Sequence, residues 1–205
     1  MLRLVSRPMD FDRSPAASIT RQLARLNSIS SDQPFLFNRR DQMPVHDELL
    51  WQILEGQVRT VTWDDEGNLT TLGIWGPSDC LGQPFSIVTP YQIECLSPVK
   101  AIRCPMPAAP QVISILLNNI QQTEKLMSIL QVKSMGDRIY KILDWLSERF
   151  GRRHPTGKTV GFGLTHQQIA DLAGTTRVTV TRLLQILEAD AKIRRLPKRH
   201  IMLLK

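Results

Sequence analysis

The chain has 205 residues, of which 42% are hydrophobic and 22% charged, the composition of an ordinary globular protein with one large or two small domains. Fibrous, collagen-like and disordered classes do not fit these values. The apolar stretches fall far short of the roughly 18 residues that a membrane helix needs, and residues 1–10 lack the apolar core of a signal peptide. We therefore expect a cytoplasmic protein that does not bind membranes.

The net charge of +7 is concentrated in the last quarter of the chain. Residues 1–150 carry 15 Lys or Arg against 16 Asp or Glu, whereas residues 151–205 carry 11 against 3. The segment 151–157, Gly-Arg-Arg-His-Pro-Thr-Gly, has the composition of a linker or turn between the two parts. This division predicts a polyanion-binding module attached to a neutral body.

The first part of the chain has the pattern of a β domain. After an N-terminal segment, 1–30, in which 16–26 resembles a short amphipathic helix, short strands are predicted at 50–54, 57–63, 69–74, 91–96 and 100–104. The clearest hairpin joins 58–63 to 69–74 through Asp-Asp-Glu-Gly-Asn, residues that tolerate left-handed backbone. The sequence therefore predicts an antiparallel β-barrel over 31–108, within an α+β fold.

Helical spacing of apolar residues follows a cluster of prolines and predicts one long helix over 109–134. Its apolar surface is too wide for one docking face, which is typical of a helix that packs on its own domain and on a second copy of the chain. Burial in the core of a monomer is the alternative, although Asn118, Gln121 and Gln122 interrupt such a surface. The residues expected on the dimer face are Val112, Leu116, Ile120, Thr123, Met127 and Leu130. Gly136 is expected to break this helix, and 137–150 to form the first helix of a C-terminal domain, 135–205.

Residues 164–191 predict a helix-turn-helix. Thr165 followed by Gln168 forms a capping box, Gly174 permits the left-handed residue that ends the first helix, and Thr175 or Thr176 caps the second. The second helix, 177–187, would bury one stripe, which consists of Val180, Leu183, Leu184 and Leu187. An ordinary antiparallel helix pair with a basic solvated face is the alternative interpretation.

The outward face of the second helix carries side chains suited to a DNA major groove. The expected base-reading residues are Arg177, Val178, Thr181 and Arg182, since arginine can donate to guanine O6 and N7, while valine and threonine methyls can pack on a thymine methyl. Side chains expected at phosphates are Thr165, His166, Gln167, Thr175, Thr176, Thr179, Lys198 and Arg199.

Residues 192–204 read as a small hairpin, with a strand at 159–162 as a further partner, so a winged helix is predicted. Lys198 and Arg199 in its loop would add salt-sensitive affinity for the DNA backbone. A charged hairpin that only aids solubility is the alternative.

The run Arg177-Val178-Thr179-Val180-Thr181-Arg182 within segment 165–188 resembles the Crp-Fnr family of bacterial transcription regulators, and most closely the recognition helix of the cyanobacterial global nitrogen regulator within it. The order of the predicted elements, a β-barrel, a long helix and a helix-turn-helix, extends the resemblance to residues 31–205. It implies a homodimer paired along the long helix, a cyclic-nucleotide-binding-like barrel, and a winged helix that binds a two-fold DNA site of GTA/TAC type. It also implies an activator that contacts RNA polymerase.

The expected sensing site departs from the family. Where cyclic-nucleotide binding uses Gly-Glu and then Arg-Ser or Arg-Thr, this chain has Gly82-Gln83-Pro84 and Tyr91-Gln92-Ile93, so the arginine that would neutralise a phosphate is absent. The nitrogen regulator's 2-oxoglutarate site uses a long-helix arginine, whose position matches Asn119 here. We therefore expect neither cyclic AMP nor 2-oxoglutarate as effector, and the candidate pocket residues are Gly82, Gln83 and Asn119.

Two hypotheses from different classes follow. The first is a dimeric DNA-binding regulator without cofactor or metal, since an iron–sulfur cluster needs four cysteines and only Cys80, Cys95 and Cys104 are present, without a CxxC pair. The second is a small-molecule or redox sensor, with Cys80 and Cys95 as the switch and a basic tail that contacts protein or RNA. An enzyme is not expected, because the four histidines are scattered and no nucleophile motif or phosphate loop appears.

Overall fold

The computed structural model describes residues 33–47, 49–103 and 109–204, and for 109–112 it describes the backbone alone. The N-terminal segment 1–30, the helix expected at 16–26, and Cys104 lie outside the described residues. Within the described part, no helix has the length and apolar character needed to span a bilayer.

In the described residues, the strands of the N-terminal domain are β1 Phe35–Phe37, β2 Gln42–Met43, β3 Trp51–Glu55, β4 Val58–Trp63, β5 Leu69–Trp75, β6 Cys80–Leu81, β7 Gln92–Cys95 and β8 Val99–Arg103. They form a barrel of two four-stranded antiparallel sheets, ordered β1-β8-β3-β6 and β2-β7-β4-β5. Apolar side chains from both sheets fill one core, in which the rings of Phe35 and Phe37 meet Trp51 edge-on. The predicted barrel is confirmed, with short strands added at β1, β2 and β6.

The predicted hairpin between β4 and β5 is present. The Asp64 carboxylate accepts the backbone N–H groups of Glu66 and Asn68 at 3.0 and 2.8 Å, and Gly67 takes φ +80°. These local bonds close the turn, so the two strands pair in register from Val58 opposite Trp75 to Trp63 opposite Leu69, with one bulge after Thr60.

The long helix α1, Ala109–Leu130, ends four residues earlier than expected, and α2, Met135–Phe150, begins before Gly136. The expected break at Gly136 is therefore wrong, since that residue lies inside α2. Ser134 caps α2 by accepting the Asp137 N–H, and the Arg138 guanidinium donates to the Val132 carbonyl at 2.9 and 3.1 Å. The Ser134 cap and the Arg138 guanidinium on the Val132 carbonyl together fix the break between α1 and α2 at 131–134.

The C-terminal domain adds the helices α3, His166–Ala173, and α4, Arg177–Ala189. Its strands are β9 Arg152–His154, β10 Gly157–Thr159, β11 Ile193–Arg195 and β12 Ile201–Leu204, and they form a four-stranded sheet ordered β11-β12-β10-β9. The segment 151–157 is thus not a plain linker, because 152–154 pairs with β10 around the Pro155-Thr156 turn. The strand expected at 159–162 lies at 157–159 instead, where it pairs with β12.

The two domains share one apolar core. Ile74 and Leu96 of the barrel and Leu126 and Ile129 of α1 belong to the same buried cluster as the interior of the winged helix. Phe150 at the end of α2 packs so closely on Gly76 that a Cβ there would lie 2.6 Å from its ring. A glycine at 76 is therefore required for the close approach of the two domains.

Candidate nucleic-acid interface

The helix-turn-helix forms through the caps that the sequence predicts. The Thr165 hydroxyl accepts the Gln168 N–H at 3.1 Å, and the Gln168 side chain accepts the Thr165 N–H at 3.0 Å, which completes a capping box. Gly174 ends α3 in the left-handed conformation, with φ 68° and ψ 49°. Thr176, rather than Thr175, caps α4 by accepting the Thr179 N–H at 3.2 Å.

Helix α4 buries one stripe and exposes another. Val180, Leu184 and Leu187 are buried, and Leu183 packs half-buried against the same core. Arg177 and Arg182 are exposed, and Val178 keeps 78% of its surface accessible. An exposed valine beside two arginines in the first turns of a helix is suited to base edges rather than to solvent.

Thr181 is held more tightly than its neighbours on this face. Its hydroxyl donates to the Arg177 carbonyl at 2.9 Å and lies 2.8 Å from Nδ1 of His166. The imidazole therefore links α3 to α4, and the methyl group is the part of Thr181 left for contact. Both residues are half-buried.

A basic groove of about 600 Å³ lies between the helix-turn-helix and the wing. Its charged and imidazole side chains are Arg177, Arg195, Arg199, His166 and His200. Burial first, and then the nearby charges of Arg195, Arg177 and Arg199, lower the pKa of His166. A groove with this concentration of cationic side chains is suited to a phosphate backbone.

Arg195 and His200 were missed by the sequence interpretation. The predicted wing hairpin is present, and β11 turns Arg195 toward α4, where Glu188 accepts its Nε–H at 2.6 Å and its backbone N–H at 2.9 Å. In the sequence, the only indication of a role for Arg195 and His200 is their position in a basic hairpin. That position does not show which side of the hairpin each side chain lies on.

Lys198 and Arg199 form the tip of the wing, both exposed and both in left-handed backbone, with φ 56° and 65°. Two successive non-glycine residues in this conformation are strained, and such strain is concentrated at functional sites. The tip projects both cations beside the groove.

The remaining phosphate candidates lie around the ends of the two helices. Gln167 is exposed and donates to Asp171 Oδ1 at 2.7 Å, while the hydroxyls of Thr176 and Thr179 lie 2.9 Å apart. Thr175 is half-buried in the turn, and its N–H donates to the Ala170 carbonyl. Together with Thr165, these residues surround the turn between α3 and α4.

Helix α1 exposes most of the expected dimer face. Ile120 and Met127 keep 53% and 60% of their surface accessible, and Leu116 and Thr123 are also exposed. Leu130 is half-buried against the core of its own chain, and the side chain of Val112 lies outside the described residues. Ile113 and Leu117 extend the exposed apolar face.

A separate cavity of about 410 Å³ lies between the barrel and α1. Gly82 and Asn119, two of the three expected pocket residues, line it together with Tyr91 and Glu124. Nδ2 of Asn119 donates to the Cys80 carbonyl at 3.1 Å, whereas its buried Oδ1 has no hydrogen-bond partner among the described residues. No arginine or lysine is among the described residues that line this cavity.

Gly82 and Gln83 have local structural roles. A Cβ at Gly82, whose φ is +154°, would lie 2.3 Å from the Leu49 carbonyl oxygen. The Gln83 amide donates to the Ser86 carbonyl at 3.3 Å, within its own loop, and does not line the cavity.

Of the thiols in the described residues, Cys95 lies in the barrel core, and Cys80 lies in a small cluster with Leu50, Phe85 and Ile115 of α1. Cys80 and Cys95 are both buried, and burial, with Asp41 and Glu94 nearby, raises the pKa of Cys95 to about 12. Because the thiolate is the reactive form, the environment of Cys95 suppresses redox chemistry at that residue.

Comparisons with known proteins agree with this geometry. The family model for the Crp-like helix-turn-helix domain matches residues 137–205. The chain is 39% identical over 163 residues to "Regulatory protein CysR" of Synechococcus elongatus, a match that covers 78% of this chain and 79% of that protein. It is 34% identical over 117 residues to the "Global nitrogen regulator" of the same organism, over 55% of this chain and 52% of the relative.

Solved structures share the fold. TTHB099 of Thermus thermophilus, a transcriptional regulator of the CRP family, superposes with a TM-score of 0.70 at 22% identity, over 83% of this chain and 92% of that chain. FixK2 of Bradyrhizobium japonicum gives a TM-score of 0.70 at 17% identity, over 83% and 91%. The named relatives are regulators rather than enzymes, and the chain belongs to the Crp-Fnr family of DNA-binding transcription regulators.

Proposed function

We propose that the protein is a homodimeric transcription activator that reads a two-fold symmetric DNA site of GTA/TAC type with α4. The observation that carries the proposal is the exposed face of Arg177, Val178 and Arg182 beside a basic groove. The two arginines can each donate two hydrogen bonds to a guanine, and the methyl groups of Val178 and Thr181 can pack on thymine. The groove and the wing tip would hold the adjacent phosphates.

The exposed apolar face of α1 supports the dimer. Ile120 and Met127 lie on the surface of the single chain, which is costly for a helix in water. Pairing of two α1 helices along this face would bury it and would place two α4 helices in successive major grooves of a symmetric site. Contact with RNA polymerase is the route by which such a dimer would activate transcription.

The cavity between the barrel and α1 is the proposed effector site, with Gly82 and Asn119 in its wall. The carboxylate of Glu124, in the same wall, would accept a hydrogen bond from an effector. Without a cationic side chain in the described wall, a phosphate or dicarboxylate would be buried uncompensated. This disfavours cyclic AMP and 2-oxoglutarate, and it favours an uncharged effector that carries a hydrogen-bond donor.

The test is fluorescence anisotropy of the full chain on a two-fold GTA/TAC duplex and on a scrambled duplex of the same composition, over a salt series without added ligand. We expect tighter binding to the symmetric site, by at least about tenfold, with affinity that falls as salt rises. Equal and equally salt-steep binding to both duplexes would contradict a sequence-specific site of this type.

Substitution of the DNA identifies the type of half-site. A third duplex keeps the two-fold symmetry and the spacing but exchanges the guanine of each half-site for adenine. We expect its affinity to fall toward that of the scrambled duplex, since the bidentate contact with guanine is lost. Unchanged affinity would show that α4 reads another sequence.

A further inference from the structure

Buried charges join the barrel to the helix-turn-helix. Arg59 on β4 is only 4% exposed, and its guanidinium bridges the two domains. Nε donates to Glu94 of β7 at 2.8 Å, while Nη1 donates to Asp171 of α3, also at 2.8 Å. Gln168, the residue that completes the capping box of α3, donates to the other oxygen of Glu94 at 3.3 Å.

A second buried pair joins the barrel to α2. Asp79, which precedes β6, accepts from Arg149 Nη2 at 2.6 Å, from Asn118 of α1 at 2.9 Å and from the Gly76 N–H at 2.7 Å. Nη1 of Arg149 donates to the Ile74 carbonyl at 2.5 Å. This carboxylate therefore holds the barrel, α1 and α2 together.

The interdomain pairs differ from the exposed ion pairs of the chain. Lys100 and Glu55, both on the barrel surface, are 39% and 72% exposed and 3.6 Å apart, so water screens their attraction. Arg59 and Asp171 are each 5% exposed in their side chains, and separation of the domains would leave Asp171 without its cation, while Arg59 would keep Glu94 of the barrel. Such contacts oppose rotation of one domain on the other.

The interdomain contacts leave the DNA-facing surface open. Arg59 and Glu94 bind the side of α3 that faces the barrel, whereas Val178 and Arg182 on α4 stay exposed. The orientation of α4 relative to the barrel, and so relative to α1, is therefore supported by contacts that lie outside the exposed face of α4.

We propose that Arg59 and Asp171 are positioning residues, which hold the helix-turn-helix in one orientation on the barrel and thereby fix the spacing between half-sites that the dimer accepts. This inference rests on the proposed dimeric DNA-binding function. A rigid pair of recognition helices can engage both half-sites only at one separation, whereas loosely tethered domains tolerate several.

The test compares the full-length wild type with Arg59→Met, Asp171→Asn and the exposed-pair control Lys100→Met. Affinities are measured by anisotropy on the symmetric site and on sites with one base pair added or removed at the centre. The measured quantity is the ratio of off-spacing to optimal Kd. We expect Arg59→Met to reduce this ratio at least about threefold, mainly through weaker binding at the optimal spacing, and Lys100→Met to leave it unchanged.

Nitrogen-15 relaxation tests the interdomain contacts without DNA. The barrel and the C-terminal domain should tumble with one correlation time in the wild type, and α3 should show added microsecond-to-millisecond exchange in Arg59→Met while its chemical-shift dispersion persists. If Arg59→Met does not fold, Asp171→Asn serves instead, because it keeps the side-chain shape, removes the charge and replaces one of the two accepting oxygens by an NH2 donor.

The outcomes separate the two proposals. Unchanged spacing ratios in a folded variant, or two correlation times already in the wild type, would overturn the positioning role. Wild-type binding without sequence preference would instead refute the proposed function, and the relaxation measurement would still report whether Arg59 holds the domains together.

Discussion

Arg182 is the exposed side chain of α4 whose role in base reading is most directly testable. If it donates to guanine O6 and N7, Arg182→Ala should cost about 1–3 kcal/mol on the symmetric site and little on scrambled DNA. The measurement is anisotropy on both duplexes, with Arg194→Ala, an exposed arginine on β11, as the control for general loss of charge. Equal losses on both duplexes would assign Arg182 to the phosphates.

His166 gives the fold a dependence on pH. Its pKa is lowered in the folded chain, first by burial and then by three arginines, so the neutral imidazole is favoured. The stability that this provides is present above the unfolded pKa, about 6.5, and is lost as the pH falls below that value. The urea concentration at the midpoint of unfolding should fall between about pH 7.5 and pH 5.5 in the wild type. In His166→Asn this fall should be smaller. The exposed His154→Asn should keep the wild-type dependence.

Single residues were predictable from the sequence where their partners are near in the chain. Thr165 with Gln168, and Gly174, act within one helical turn, so composition and spacing suffice to assign their roles. Arg59 and Asp171 are 112 residues apart in sequence and meet only because the fold places β4 against α3. The contact between Arg59 and Asp171 cannot be predicted from the sequence, because nothing near Arg59 in the chain indicates its distant partner.

At the scale of the element, the exposed face of α1 predicts the assembly. Met127→Asp would place a charge in the proposed apolar contact between two α1 helices and should weaken the proposed dimer at least about tenfold. Sedimentation equilibrium of the full chain measures this. The adjacent Ser128→Asp is the matched control, since Ser128 is exposed and lies about 100° around the helix from Met127. A Met127→Asp dimer as tight as the wild type would place the interface elsewhere.

The boundaries of helices and strands can be predicted from the sequence only where capping residues within a few positions determine them. The α3 and α4 boundaries follow from caps within a few residues, whereas α1 ends at Leu130 because Ser134 starts a new helix and Arg138 holds the Val132 carbonyl. Gly136 is a weak helix former that the helix nevertheless contains. Strand β9 was missed because its residues, Arg152–His154, have none of the alternation of a half-buried strand.

At the scale of the whole molecule, the sequence divides at Phe150 by charge, but the fold does not divide there. The basic excess of residues 151–205 does lie in the domain with the proposed DNA surface. The apolar residues, however, continue from the barrel through α1 into the winged helix. Charge division therefore predicts the place of the polyanion site, while the extent of the cooperative unit depends on packing that spans the division.

This shared core predicts how the molecule unfolds. Leu126 of α1 is 4% exposed within the cluster that joins both domains, so Leu126→Ala should cost about 2–5 kcal/mol. The loss of unfolding free energy is measured by NMR in a urea titration at one protein concentration. It should be equal for signals of β3 and of α4, because both report one transition. Leu36→Ala, at a residue 78% exposed on β1, should change neither signal. A shift confined to α4 would mean that the two domains unfold separately and that contacts between them add little to the stability of the barrel.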